Sequence, residues 1–387
     1  MSAFVSTTNG HAIGPLDRPL RLVMATARYL PFIGGVELHV DEVARRLSAR
    51  GVDVTIVTTD RTGALPPNEE VDGVHVRRLR ARPADRDYYF APRVYHEIAR
   101  GDWDVVHVQG YHTFVGPLAM LAAQRARLPY VVTFHAGGHP SRLRHALRPV
   151  QLQLLRPLLA GADRLIALAP FEIDHYSRRL RLPRSRFALI RNGSDLPRPA
   201  AVPRAARSRN LLASLGRLER YKGHHRVLAA LPHVVRRRPD ARLWIAGTGP
   251  YGPSLKHLAE SLDVADRVDI HAVPPHERAR LAEELARVGV VVLMSEFETQ
   301  PLAALEALAL GCRVIVADTP GLRELATDGL ARPVPLDISP VELASAILEE
   351  LDKPFQAEPP ALRTWDDCAE AYFELYAGVA RRRAATC

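Results

Sequence analysis

Two doubly wound α/β domains facing each other across a cleft form the fold class that this sequence predicts. Three observations lead there. The length, 387 residues, exceeds what one hydrophobic core normally organises. Short apolar runs alternate with amphipathic helical stretches, the pattern of parallel strands joined by crossover helices. That alternation breaks once, at a proline- and arginine-rich stretch over 195–209, and then begins again.

Residues 1–18 carry Thr, Asn, Gly and His where a leader peptide needs an apolar segment, and they read as a disordered tail. The first domain spans 19–194. A strand over 21–27 runs into a loop ending at Gly34-Gly35, then a helix over 36–50 with Val36, Val40, Val43 and Leu47 on one face, then a strand over 52–58. This is a βαβ unit, and its paired glycines let backbone approach a ligand at the first strand's carboxyl end. Further strands are predicted over 74–79, 104–108, 130–134, 164–167 and 187–190. The second domain spans 210–364, after the linker. It alternates strands over 210–214, 242–246, 268–271, 288–293 and 313–317 with helices after Gly223 and over 253–262, 275–287, 301–310 and 340–351. A last helix, within 365–387, is long enough to pack back on the first domain.

Composition excludes several classes. At 47% apolar the chain is globular, and its longest apolar run falls far short of a bilayer span. Three widely spaced cysteines make neither a disulfide framework nor a metal knuckle, which suits a reducing cytoplasm. The net charge of +9 favours anionic partners, but no reading helix or aromatic platform points to nucleic acid.

Four stretches carry candidate chemistry. From Ser214 to Gly223, a strand end bracketed by Gly216 and Gly223 presents Arg217 and Lys222, two cations suited to a diphosphate. Gly247 to Gly252 matches G-x-G-x-x-G after a strand, either a turn lining a nucleotide site or simply a turn. His135 ends a strand and opens a loop containing Gly137 and Gly138; it projects toward the cleft, makes a structural hydrogen bond, or faces solvent. His107, inside a strand, reads as core or supporting. In the fourth stretch Glu298 precedes a helix that begins at Pro301 and is stopped by Gly311, and Glu306 lies roughly one and a half turns inside it. Together they can accept bonds from sugar or ribose hydroxyls, or serve only as a first-turn carboxylate and a helix-surface charge. The Asp85-Arg-Asp87 and Asp102-Trp-Asp104 triplets match a D-x-D metal–diphosphate pattern but sit in an arginine-rich loop and at a strand start, so no metal is expected.

In this order, over nearly the whole chain, these pieces resemble the retaining GT-B glycosyltransferases of family 4, the group 1 family. Gly34-Gly35-Val-Glu37 resembles its first glycine loop, Asn192-Gly193-Ser-Asp195 its interdomain hinge, Gly216-Arg217 and Lys222-Gly223 its diphosphate element, Gly247-Thr-Gly-Pro250 its nucleotide-side turn, and Glu298 with Glu306 its E-x7-E signature. The resemblance implies two Rossmann-like domains and transfer of a hexosyl group from a nucleotide diphosphate sugar, a UDP-sugar by preference, with retention and without metal or cofactor. It implies that Glu298 contacts the donor sugar and that the amides of Thr299, Gln300 and Leu302 lie beside it. Glu306 would bind ribose, Val273 would line the nucleotide side, and Arg217 and Lys222 would neutralise the diphosphate. His135, with Gly34, Gly35, Gly137 and Gly138 on the acceptor side, would lie near the reacting carbon. Where the family commonly has E-G-F-G-L, this chain has Glu298-Thr-Gln-Pro-Leu302, which removes one amide donor and sets two side chains beside the sugar. The expected acceptor is a glycan, a lipid-linked sugar or a small molecule. The arginine- and leucine-rich stretch over 141–159 adds the expectation of a cytoplasmic protein in peripheral contact with an anionic membrane, at the inner membrane face. A silent nucleotide-sugar-binding or scaffolding protein is the rival reading.

Overall fold

The computed structural model describes residues 18–32, 34–84, 89–135, 142–197, 208, 210–274, 277–353 and 359–384. The first half runs β1 (Arg21–Thr26), α1 (Gly35–Ala49), β2 (Asp53–Asp60), β3 (Asn68–Val71), β4 (Val74–Arg80), α2 (Arg93–Arg100), β5 (Val105–Gln109), α3 (Val115–Arg125), β6 (Tyr130–Thr133), α4 (Arg142–Leu154), α5 (Arg156–Gly161), β7 (Arg164–Ala167), α6 (Pro170–Leu180) and β8 (Phe187–Leu189). The second half runs β9 (Leu211–Leu215), α7 (His224–Arg237), β10 (Arg242–Ala246), α8 (Gly252–Ser261), β11 (Val268–His271), α9 (Arg278–Ala286), β12 (Val290–Leu293), α10 (Leu302–Ala309), β13 (Arg313–Ala317), α11 (Leu322–Thr327), β14 (Arg332–Val334), α12 (Pro340–Asp352) and α13 (Trp365–Ala384).

These strands build two sheets, ordered β3-β4-β2-β1-β5-β6-β7-β8 and β11-β10-β9-β12-β13-β14. Every named pairing is parallel except β3 with β4. The β3 strand was not predicted, because Asn-Glu-Glu-Val lacks an apolar face. Its signal was the turn instead: Asp72 and Gly73 both take positive φ, 51° and 73°, as a tight Asp-Gly hairpin requires. In the second sheet the chain winds outward from β9 to β11 in one direction and from β12 to β14 in the other. The carboxyl ends of β9 and β12 therefore lie side by side at a topological switch point, where a ligand crevice is expected.

The buried side chains form one core in the second half and two on the first, one for each face of the eight-stranded sheet. α13 belongs to the first half: Trp365, Tyr372 and Tyr376 are fully buried in the same core as Val40, Val43 and Leu47 of α1. A Cβ on Gly193 would lie 2.2 Å from the Trp365 nitrogen, so the hinge and the start of α13 touch backbone to backbone. The linker predicted over 195–209 falls mostly outside the described residues. Among those residues, no helix is long and apolar enough to cross a membrane.

Candidate active site

The crevice between β9 and β12 is built from two loops that interlock. After β9 the chain turns at Gly216 (φ 135°) and again at Gly223 (φ 75°), conformations that disfavour any side chain. A Cβ on Gly223 would sit 2.0 Å from the carbonyl oxygen of Met294, in the loop after β12. Lys222 lies between them and donates from Nζ to Oε1 of Glu298 at 2.6 Å. Their side chains are only 15% and 16% exposed, which protects the pair from solvent screening. Ser295 Oγ donates to the same carboxylate oxygen at 2.8 Å, and the Ser295 carbonyl accepts from Thr319 Oγ1 at 2.8 Å. The Glu298 amide donates to Pro320 at 3.1 Å. Gly321 (φ 82°) leaves room for the Glu298 carbonyl, which a Cβ there would approach to 2.1 Å.

Arg217 stands outside this ion pair. Its guanidinium donates to Glu219 Oε1 at 2.5 Å and to the Tyr221 hydroxyl at 2.7 Å, and its side chain is half exposed. The sequence aims two cations at one spot; the structure sets Lys222 at the carboxylate and holds Arg217 to one side by its own loop. That loop is pinned from below: buried His224 bonds the Arg217 carbonyl through Nε2 at 3.2 Å, and its Nδ1 meets Ser214 Oγ at 2.8 Å. Burial pushes the His224 imidazole down to about 4, so it stays neutral and adds no charge. The Gly247 turn nests on the same loop. A Cβ on Gly247 would meet the Gly216 carbonyl at 1.9 Å, and Leu218 donates to Thr248 at 2.9 Å. Close backbone packing is therefore what glycine supplies at 247.

Pro301 is not the first helical residue, as the sequence suggested, but the N-cap of α10, with φ −79° and ψ 88°. Its carbonyl accepts from Ala304 and Leu305 at 3.0 and 3.1 Å. No side chain caps α10 or α7 and neither has an acidic residue in its first turn, whereas the first turn of α1 carries the buried Glu37. Gly311 (φ 75°) follows α10 in the left-handed conformation expected of a helix stop. Glu306 is buried and accepts from Arg278 Nη2 at 2.5 Å. Burial raises its pKa, and Arg278 opposes the rise.

Gln300 departs from its expected place. The sequence set its side chain beside a sugar; in the structure its Oε1 accepts from the main-chain N–H of Asn192 in the hinge at 2.7 Å. A buried amide at the end of a strand run needs an acceptor, and Gln300 supplies it. Thr299 is half-buried beside it, and Leu302 packs on a core of the first half. Gly34 caps α1, and a Cβ on Gly35 would lie 4.0 Å from Leu302 Cδ1, so the glycine loop faces the start of α10 across the cleft. Val273 packs half-buried on the second-half core just ahead of α9. Gly137 and Gly138 lie outside the described residues, as do Asp85 and Asp87. Asp102 and Asp104 pair with Arg21 and Arg18, and Asp104 also accepts from the Arg21 amide at 2.9 Å, a structural role.

His135 is buried and sits at φ 45°, a conformation uncommon for a side-chain-bearing residue and frequent at functional sites. Its Nε2 meets Gln109 Oε1 at 2.6 Å, and Gln109 Nε2 donates to His107 Nδ1 at 3.1 Å. The Tyr376 hydroxyl reaches that same His107 nitrogen at 2.6 Å, while His107 Nε2 meets Thr133 Oγ1 at 2.8 Å. Donation by Gln109 and Tyr376 leaves Nδ1 of His107 as acceptor. The Gln109 side-chain oxygen can only accept, so Nε2–H of His135 is the donor to it and Nδ1 of the neutral His135 ring is an acceptor. Burial drives both imidazoles well below their usual range, with nearby histidines adding to the effect. Sequence reasoning reached His135 and the supporting place of His107. It missed Gln109, Ser295, Thr319, His224, Arg278 and His39. Of these, His224 directly follows the Ser214–Gly223 stretch and Ser295 lies three residues before Glu298; the rest are brought in by tertiary packing.

Comparison with known proteins bears on the fold and the family. Residues 33–198 match the family model described as Glycosyltransferase Family 4, and residues 200–358 match Glycosyl transferases group 1. D-inositol 3-phosphate glycosyltransferase 1 of Catenulispora acidiphila is 30% identical over 356 residues, covering 83% of each chain. Among solved structures, Anabaena HepE in complex with UDP and glucose superposes with a TM-score of 0.68 at 18% identity, covering 95% of this chain and 99% of that one. Sucrose-phosphate synthase from Thermosynechococcus elongatus gives 0.67 at 21% identity, covering 95% and 98%. The two facing parallel sheets are those of the GT-B fold, and the chain belongs to the group 1 glycosyltransferases of family 4.

Proposed function

We propose that this glycosyltransferase moves a hexosyl group from a UDP-sugar to an acceptor hydroxyl with retention of anomeric configuration. The observation that carries the reading is the Lys222–Glu298 pair, 2.6 Å apart where β9 and β12 part. It sets a cation fit for a diphosphate and a carboxylate fit for sugar hydroxyls in one crevice. As the bond from the anomeric carbon to the diphosphate oxygen breaks, its electrons stay on the leaving phosphate. Lys222 and Arg217 offset that charge in a site with little water, so the reading needs no metal or cofactor. The acceptor oxygen bonds the anomeric carbon on the same face and passes its proton to the departing phosphate. Neutral His135 accepts a hydroxyl hydrogen through Nδ1, from donor sugar or acceptor. Glu306 shares its carboxylate between Arg278 and the ribose hydroxyls, and Val273 lines the nucleotide side. Gly34 and Gly35 face the acceptor and phosphate.

The acceptor enters from the first half, and the surface there favours a lipid-linked one. Leu147, Val150 and Leu154 of α4 are 53%, 57% and 75% exposed and follow one helical stripe in an arginine-rich stretch. Exposed Phe90 and Phe114 meet edge to face, with centroids 6.1 Å apart, on the same half. A polar phosphorylated acceptor is the alternative, since the Catenulispora relative carries D-inositol 3-phosphate in its name.

A thermal-shift screen of UDP-, GDP-, TDP- and ADP-sugars tests the donor. The expected result is stabilisation by a UDP-hexose, about 2.7 kcal/mol at a hundredfold excess over Kd. Proton NMR of the product should show the donor's anomeric configuration, and an inverted product excludes the mechanism above. The rival silent-binding reading predicts stabilisation without any nucleotide release. Flotation with anionic liposomes separates the acceptors: binding that is lost in Leu147→Glu/Leu154→Glu supports the lipid-linked one, and no binding removes it.

A further inference from the structure

The loop that carries Glu298 is also where the two halves of the molecule join. Phe297 packs on a core of the first half and lies edge-on to Phe171, with ring centroids 6.1 Å apart. Leu302 packs on the other first-half core. Between them, Gln300 accepts from the Asn192 amide at 2.7 Å across 108 residues of sequence. Asn192 is itself buried, and its Oδ1 meets Nδ1 of His39 at 2.7 Å. The His39 ring is fully buried and stands 5.0 Å from that of His135, close to perpendicular. One continuous chain of contacts therefore runs from the Glu298 loop, through the hinge, to His135, two residues past β6.

These contacts differ in what they fix. Apolar contacts such as those of Phe297 and Leu302 tolerate sliding, whereas a hydrogen bond to one main-chain amide is satisfied over a narrow range of distance and angle. Pro301 fixes φ immediately after Gln300, which stiffens the connection to α10. We propose that Gln300 is a positioning residue that latches the Glu298 loop to the interdomain hinge, so that Glu298 and His135 reach their working geometry together. Its catalytic consequence rests on the function proposed above; the latch itself does not.

The test uses the full chain and two substitutions. Gln300→Met keeps the length and loses the acceptor, while Gln300→Glu keeps an acceptor oxygen. Hydrogen exchange at the Asn192 amide of the unliganded protein should quicken at least about tenfold in Gln300→Met and stay within about threefold of wild type in Gln300→Glu. With UDP-sugar and acceptor, kcat should fall about tenfold in Gln300→Met with little change in donor KM. The share of donor lost to water should rise, and Gln300→Glu should restore most of the transfer. Unchanged exchange in Gln300→Met overturns the latch, whatever happens to turnover. Faster exchange with unchanged kcat and unchanged hydrolysis overturns the positioning role. An altered donor preference with unchanged exchange returns Gln300 to the sugar and overturns the proposal. If the wild-type protein transfers no sugar while exchange still quickens, the latch stands and the enzymatic reading falls.

Discussion

Lys222→Ala combined with Arg217→Ala should abolish transfer, lowering turnover by on the order of 10³-fold or more. Both side chains leave the loop that faces Glu298, and both would be needed where negative charge grows on the departing diphosphate. Arg217 is half exposed and, among the described residues, its side chain hydrogen-bonds within its own loop, so its loss costs the fold little. Lys222 is different: removing it strips a largely buried carboxylate of its cation and leaves Ser295 as the partner of Glu298 Oε1. The single Lys222→Ala variant should therefore lose both activity and some stability, and Arg217→Ala chiefly activity. Initial rates of nucleotide release, read beside melting curves of the same proteins, check both parts. Near-normal turnover in the double variant would sink the proposed function.

Gly223→Ala carries the second large effect, this time on stability. The residue adopts φ 75°, and the new methyl would lie 2.0 Å from a main-chain oxygen and 2.9 Å from the Met294 Cβ. No side-chain rotation can relieve a clash with backbone, so strand ends β9 and β12 must separate. The expected cost is about 3 kcal/mol, of which roughly 1 kcal/mol is left-handed strain. A drop of roughly 6–12 °C in the melting midpoint follows for a unit of this size. Gly51→Ala is the matched control: φ is 84°, but nothing lies within 4 Å, so only the strain remains. Equal melting points for the two variants would show that the loops do not interlock as described.

The fold was largely legible in the sequence because its parallel strands are buried on both faces and read as unbroken apolar runs. The strands over 164–167, 242–246 and 313–317 coincide with β7, β10 and β13, whereas the one over 268–271, which coincides with β11, alternates Val268 and Ile270 with polar residues. The edges were harder. β3 is polar, and β14 is three residues long with a proline inside, so neither shows an apolar period. In the site, residues on one loop were visible together: Arg217 with Lys222, and Glu298 with Glu306. The residues around them were not, because Arg278, Gln109 and Thr319 come from other elements through tertiary packing. Gln300 shows the limit clearly. Its place beside Glu298 in the chain suggested a shared ligand, but its carbonyl turns the other way, to an amide that only the interdomain packing brings within reach.

The placement of α13 bears on how the molecule is made. Its Trp365, Tyr372 and Tyr376 complete a core whose other walls come from the first sheet and from α1, which lies more than 300 residues earlier in the chain. A ribosome releases the chain from its N-terminal end, and most two-domain proteins let the leading domain settle before the trailing one emerges. Here the leading domain lacks part of its interior until the last helix is synthesised. It must wait with an open apolar face while the second domain forms, so the later domain is the one able to finish folding first.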